Sequence, residues 1–481
     1  MNPNDSKDPA LSADYLDTYR RRTPGSAALY ERAKKVMPGG VCHNPRYFPP
    51  HPVYINRAEG SKIWDVDGNE YVDLWMGHYT HILGHKPEPV YSAIRKAVEA
   101  GTHWGIVHEH QVAFAEDFCR VIPSAEMVRF GVSGAEATMY AVRLARGFTG
   151  KKTILKVRGG WHGANADLSV AIHAPMDVPE SAGMLPEATR FTKTISFNDE
   201  EGTVAAIRRE AAAGDLAAVV IEAVGQYFVP PVAGYLEAVE RETKAAGALF
   251  VLDEIITGGR LSLRGAQGLY GLKPDLTTMG KVMGGGMNLG LVAGRRDVLE
   301  LASPTQPKGK GVLMGGGTFS IMVPAMIAGR TMLRYLEEHE GEIYPELARK
   351  GEYVRRGVEE AFAARGIAAK CFGVGSLFTT SFPKVAVGAG AGAGTGAADA
   401  AGDGIRTVAE ADIRNCEDVE TKTNVKFRDN EFRLRMLNHG VYTIWGGGAI
   451  SMAHTQADLD RIVDAAEAVA KEMAAEGRRT A

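Results

Sequence analysis

A chain of 481 residues is long enough to bury a large core and to divide into two domains. Its 55 basic and 58 acidic residues nearly cancel, which gives no support to a nucleic-acid or other polyanionic partner. The four cysteines, at 42, 119, 371 and 416, form no CxxC pair and indicate neither a disulfide framework nor a zinc cluster, and no run approaches the roughly 18 apolar residues of a membrane helix, so a soluble cytoplasmic protein without membrane contact is expected.

Residues 12–37 carry an intermittent apolar face (Tyr15, Tyr19, Leu29, Val36, Met37) and are predicted helical until Pro38-Gly39-Gly40 stops the run. The irregular strap over 41–50 holds Arg46, readable from composition alone as an ordinary surface arginine. Residues 62–74 alternate apolar and polar side chains about Asp67-Gly68, the signal of a hairpin in the smaller domain. Trp75, His78, Tyr79 and His81 come next, then helices over 87–100 and 111–121. Between those helices, His103, Trp104, His108 and His110 have no spacing that singles out a metal and fit packing or substrate contact.

The larger domain is expected to begin at Glu126. Residues 127–130 read as a strand, 131–135 as a turn of small residues and 136–146 as a helix. Backbone N–H groups at such a helix N-terminus can hold an anion, although Ser133 serves equally well as a plain cap. A strand over 153–157 ends in Gly159-Gly160-Trp161-His162-Gly163, whose aromatic ring is either a packing anchor or a stacking surface. Residues 171–190 lack periodicity and read as a loop. A helix over 201–213, a buried strand over 217–222 ending in Glu222, a crossover helix over 234–246 and a second buried strand over 248–252 follow, an order that predicts a parallel sheet.

That second strand ends in Asp253-Glu254, and another, over 274–279, delivers Lys281 into Gly284-Gly285-Gly286. Two readings stand. The carboxylates cap the next helix and Lys281 is a surface residue beside a flexible loop, or Lys281 is an amine held close to backbone and a bound partner, where a lysine can form a Schiff base. A short strand over 290–294, a tight loop over 315–320 and helices over 323–338 and 343–365 come next. Residues 383–404 are too poor in large apolar side chains to repay ordering and are expected to be a flexible insertion, and a helix over 456–471 closes the chain.

Taken in order, Ser133-Gly134, Trp161-His162-Gly163, Asp253 and Lys281 resemble the motifs of the class III, fold-type I pyridoxal-phosphate aminotransferases, and in particular the branch containing glutamate-1-semialdehyde aminomutase. The resemblance runs from Leu29 to Ala468 and implies an α/β fold: a large domain with a mostly parallel seven-stranded sheet flanked by helices, plus a smaller α+β domain. Its implied divisions are 1–125 as the N-terminal segment and part of the small domain, 126–335 as the pyridoxal-phosphate domain, and 336–481 as the rest of the small domain with its 383–404 insertion.

By the same resemblance, Lys281 carries the cofactor and Asp253 pairs with its pyridine nitrogen, while Ser133, Gly134 and Ala135 hold the phosphate. Trp161 stacks on one face and Ile255 on the other, with His162 and Glu222 also in the cofactor set. Thr318 is implied to reach the cofactor of a second copy across a homodimer interface. Arg46, His78, Tyr79 and Trp104 are the expected substrate contacts, with Arg46 meeting a carboxylate. The chain departs from the branch at Cys42-His43-Asn44-Pro45, His78-Tyr79, Ala223, Gly259 and Ile321-Met322. The expected function is therefore amino transfer from a bulky or aromatic amino acid, a β- or D-amino acid among the options, to a 2-oxo acid. An aminomutase, a racemase and an inactive binding protein are the alternatives.

Overall fold

The computed structural model describes residues 13–387, 405–407 and 413–478. The small domain opens with helices Ala13–Arg22 and Pro24–Lys34, where one continuous helix was expected. Pro24 disfavours helical geometry at Thr23, whose φ/ψ of −126° and 42° break the run, and the proline then starts the second helix from its first turn. Strands β1 (Ile55–Glu59), β2 (Lys62–Asp65) and β3 (Glu70–Asp73) form an antiparallel meander, with the expected hairpin between β2 and β3.

The large domain supplies β4 (Met127–Gly131), β5 (Thr153–Val157), β6 (Thr192–Ile195), β7 (Leu216–Glu222), β8 (Leu249–Glu254), β9 (Leu276–Gly280) and β10 (Gly290–Gly294). They make one seven-stranded sheet in the order β4-β10-β9-β8-β7-β5-β6, parallel except at β10, which runs antiparallel to both neighbours. Val219, Ile221, Phe250 and Leu252 bury on one face and Val220, Leu249, Val251 and Leu276 on the other, so the strands read as unbroken apolar runs. Burying each such side chain contributes roughly 1.5–3 kcal/mol.

Strands β11 (Lys370–Val374) and β12 (Leu377–Ser381) return to the small domain. Val385–Val387 and Ile405–Thr407 pair antiparallel as β13 and β14, so the start of the expected flexible insertion is a strand that pairs just past the insertion's end; residues 388–404 lie outside the described residues. Strand β15 (Val441–Tyr442) adds to β3 in parallel, and β16 (Gly448–Ala449) adds to β12. The two ends of the chain thus share one core, in which Val72 and Leu74 bury with Val354, Phe378, Met436 and Leu459. Helices Glu88–Glu99 and Glu109–Val121 instead pack on Val323–Glu338, and Phe114 and Phe118 join Met279 and Met332 in a core of the large domain. Among the described residues no helix is long and apolar enough to cross a membrane.

Candidate active site

The carboxyl ends of β5, β7, β8 and β9 converge on one crevice, where an open α/β sheet places its ligands. Asp253, next to last in β8, is 4% exposed, and three donors point toward its carboxylate. His162 Nδ1 donates to its Oδ2 at 2.7 Å, while the Ile255 amide and Thr278 Oγ1 donate to Oδ1 at 3.0 and 2.9 Å. Glu222 lies beside it in register on β7 and accepts from the Trp161 amide at 3.0 Å. Burial and the Asp253 charge push the Glu222 carboxyl up to about 7, against the opposing pull of His162. His162 Nε2 is buried without a protein partner, so one donor or acceptor position beside Glu222 is left open.

Glu254, the other half of the acidic pair, faces away from this group. It accepts from the Ala266 and Gln267 amides, from Gln267 Nε2 and from Thr257 Oγ1, and so caps the turn of helix at Gly265–Tyr270. Glu254 thus caps a helix, as one of the two sequence readings has it, while Asp253 points into the crevice.

Lys281 follows β9 directly and is partly exposed, yet crowded by protein on most sides. Its φ of 45° lies in the left-handed region, a strained conformation for a residue with a side chain. Burial lowers its amine to about 8; Asp253 and Glu222 resist that shift and Arg260 adds to it. A lysine near 8 spends an appreciable fraction of its time as the neutral nucleophile at neutral pH.

Opposite Lys281, Ser133 caps helix Gly134–Thr149 by accepting from the Glu136 amide, and among the described residues the Gly134 and Ala135 amides have no protein acceptor. The strand end beside this turn admits no side chain: a Cβ at Gly290 would meet Ser133 O at 2.0 Å. The Ile255 side chain lies between the two loops, 3.0 Å from a Cβ built on Gly134 and 3.3 Å from one built on Gly280. Open amides at a helix N-terminus, an apolar wall, a buried carboxylate and a low-pKa lysine suit an aromatic aldehyde that carries a phosphate and a basic ring nitrogen.

Another wall of the crevice is built on a turn that the sequence conceals. Met76, Gly77, His78 and Tyr79 have φ of 46°, 60°, 63° and 68°, and the Tyr79 and Thr80 amides donate back to Trp75 O and Met76 O, so the segment is a single turn of left-handed helix. Such a turn costs about 1–2 kcal/mol for each non-glycine residue. It packs on Lys281–Gly284 and presents His78 beside His43 and Trp75, with ring centroids 5.3 and 5.2 Å away. Burial and the charges of Lys281 and Arg46 hold His78 down at about 3, so its ring is neutral. Burial, then Arg46 and Lys281, lowers His43 in the same direction.

Arg46, His43, His78 and Lys281 thus form one group, in which Arg46 is exposed. Sequence reading passed over His43; its nearness to Arg46 on one strap was the available signal.

Two expected substrate contacts stand elsewhere. Tyr79 is fully buried behind His78 with its ring edge against Phe228, because consecutive residues of the turn point to different sides; it supports the crevice wall and does not line it. Trp104 is 44% exposed and meets His108 and His110, on the surface that also carries Thr318. Trp161 has its ring 42% exposed.

Comparison with known proteins agrees with this chemistry. The family model for aminotransferase class-III matches residues 44–408. The chain is 38% identical over 362 residues to the glutamate-1-semialdehyde 2,1-aminomutase of Methanothrix thermoacetophila, covering 74% of this chain and 82% of that one. Among solved structures, a transaminase with PLP bound superposes with a TM-score of 0.81 at 30% identity, covering 95% of this chain and 99% of that one. A β-phenylalanine aminotransferase from Variovorax paradoxus superposes with a TM-score of 0.79 at 28% identity, covering 96% and 97%. On this evidence the chain belongs to the class-III aminotransferases, as a pyridoxal-phosphate enzyme of fold type I.

Proposed function

We propose that the protein moves an amino group from a bulky or aromatic amino acid, with a β- or D-amino acid as the first candidates, to a 2-oxo acid. Pyridoxal phosphate supplies the electron sink when bound. In this reading Ser133, Gly134 and Ala135 hold its phosphate, Asp253 its ring nitrogen, and Trp161 and Ile255 its two faces. Glu222 acts beside them through the Trp161 amide. The Lys281 amine carries a proton between carbon atoms, a task suited to a group near pKa 8.

The observation that carries the donor class is the wall of His43, His78 and Trp75 beside Lys281. A neutral imidazole at 78 offers surface and a hydrogen bond but no charge, which leaves Arg46 to meet a carboxylate. The structure described as a β-phenylalanine aminotransferase supports the same class.

A second reading is an internal amino exchange on glutamate 1-semialdehyde, favoured by the names of the curated relatives. The two differ in stoichiometry. Incubating the holoenzyme with β-phenylalanine should release the corresponding oxo product beyond one equivalent per site only when 2-oxoglutarate is present, with equal molar gain of glutamate in those further turnovers. Rapid turnover of glutamate 1-semialdehyde without an external acceptor would replace the first reading with the second.

A homodimer is part of this proposal. Ile106, Val107, Leu313 and Phe319 are 70%, 77%, 83% and 55% exposed, and Thr318 is exposed among them. The 102–108 and 319–323 segments are locked together, through His108 Nε2 to Ile321 O at 2.8 Å and the Val323 amide to Thr102 O at 3.3 Å. A continuous apolar face of this kind fits a second copy. Equilibrium sedimentation should return a mass twice 51.6 kDa at micromolar protein, and a monomer there would remove Thr318 from the site. A cytoplasmic location belongs to the same reading, consistent with four free cysteines.

A further inference from the structure

Arg260 is among the largest fully buried side chains of the chain, and among the described residues no carboxylate pairs with it. An unpaired buried cation is costly and persists only where neutral acceptors surround it. Here Nε and Nη2 donate to Tyr79 O at 3.2 and 2.8 Å, while Nη1 donates to Ser376 Oγ at 3.2 Å and to Ile450 O at 3.4 Å. Burial lowers the guanidinium to about 10, which leaves it charged at neutral pH. Arg260 follows β8, the strand of Asp253, whereas Ser376 and Ile450 belong to the small domain and Tyr79 closes the left-handed turn.

We infer that Arg260 is a positioning residue for the donor pocket: its planar fork pins the Tyr79 carbonyl to both domains and so holds the left-handed turn that aims His78 at the Lys281 crevice. A turn that its own residues disfavour needs an external clamp, and the guanidinium makes two of its bonds to a single backbone oxygen of that turn. Gly77 contributes from the other end. A Cβ there would sit at φ 60° and meet His81 Cδ2 at 2.4 Å. Arg260 has a competing role open to it, since its charge lowers the Lys281 amine. Geometry and charge separate in Arg260→Lys, which keeps the charge and loses the fork.

The inference rests on the crevice at Lys281 being the donor site, and its test includes a readout independent of turnover. In the holoenzyme, diethyl pyrocarbonate modification of His78, scored by mass spectrometry against the exposed His173, should change at least about threefold in Arg260→Met, Arg260→Lys and Gly77→Ala. With β-phenylalanine and 2-oxoglutarate, both Arg260 variants should raise the donor KM about tenfold with much smaller changes in kcat. In a His78→Ala background, Arg260→Met should add no further rise in KM. Wild-type behaviour of Arg260→Lys, additive effects in the His78→Ala background, or unchanged His78 modification would each overturn it. Should Arg260→Met fail to fold, Gly77→Ala and Arg260→Lys decide the matter. Should the wild-type protein turn over no β-amino acid, the donor proposal fails while the modification experiment still tests the clamp.

Discussion

Replacing Lys281 with alanine should lower turnover by on the order of 10⁴-fold or more, because the change removes the amine proposed both to hold the cofactor and to shuttle the proton. The fold should survive, since Lys281 makes no side-chain hydrogen bond to any described residue and its charged form is disfavoured by burial. Far-ultraviolet circular dichroism should match the wild type. The same residue sets a pH dependence. Its folded-state value near 8 lies below the ordinary lysine value, so the reactive neutral form grows as pH rises toward 8 and saturates above it. Rates of pyridoxal-phosphate capture by the cofactor-free protein, followed by absorbance, should rise about tenfold per unit between pH 6 and 7.5 and level off beyond 8.5. Normal turnover in Lys281→Ala, or a capture rate flat across that range, would reassign the chemistry to another residue.

Replacing Asp253 with asparagine should cost about 10²–10³-fold in kcat/KM, measured with an amine that the wild type turns over. An asparagine that keeps its oxygen toward the Ile255 amide and Thr278 Oγ1 preserves those two bonds and sets its NH2 against His162 Nδ1, so the change removes the charge and one acceptor. Cofactor content should stay close to the wild-type level, because the Gly134 and Ala135 amides, proposed to hold the phosphate, are untouched. Retention of more than a tenth of the activity would show that the carboxylate charge is not what this position supplies.

Large parts of this architecture were legible before any coordinates. Strands β7 and β8 are buried on both faces and announce themselves as apolar runs ending in a carboxylate, while β5 and β9, which carry Lys156 and Thr277-Thr278, are marked by the glycines and Lys281 that follow them, so the sheet and the residues at its carboxyl edge could be read together. What was hidden follows physical rules of its own. Strand β6 is a four-residue edge strand with Lys193 exposed between Thr192 and Thr194, too short and too polar to stand out. The left-handed turn at Met76–Tyr79 has only one glycine and contradicts local propensity, so it depends on a side chain far along the chain, Arg260. Substrate contacts suffered most, because neighbouring residues of that turn go to opposite fates: His78 into the crevice and Tyr79 into the core.

The parallel pairing of Val72 with Val441 and of Asp73 with Tyr442 has a consequence for biosynthesis. As the ribosome delivers the polypeptide, the β1–β2–β3 meander emerges before the large sheet with the outer edge of β3 open, while the strand that covers it is made after every strand of that sheet. The large sheet can close on itself during elongation, since its seven strands all lie between residues 127 and 294. The small domain cannot, and the nascent protein must carry an unsatisfied strand edge until β15 has left the exit tunnel. Termination before Val441 therefore leaves the β1–β2–β3 meander without the strand that completes its sheet.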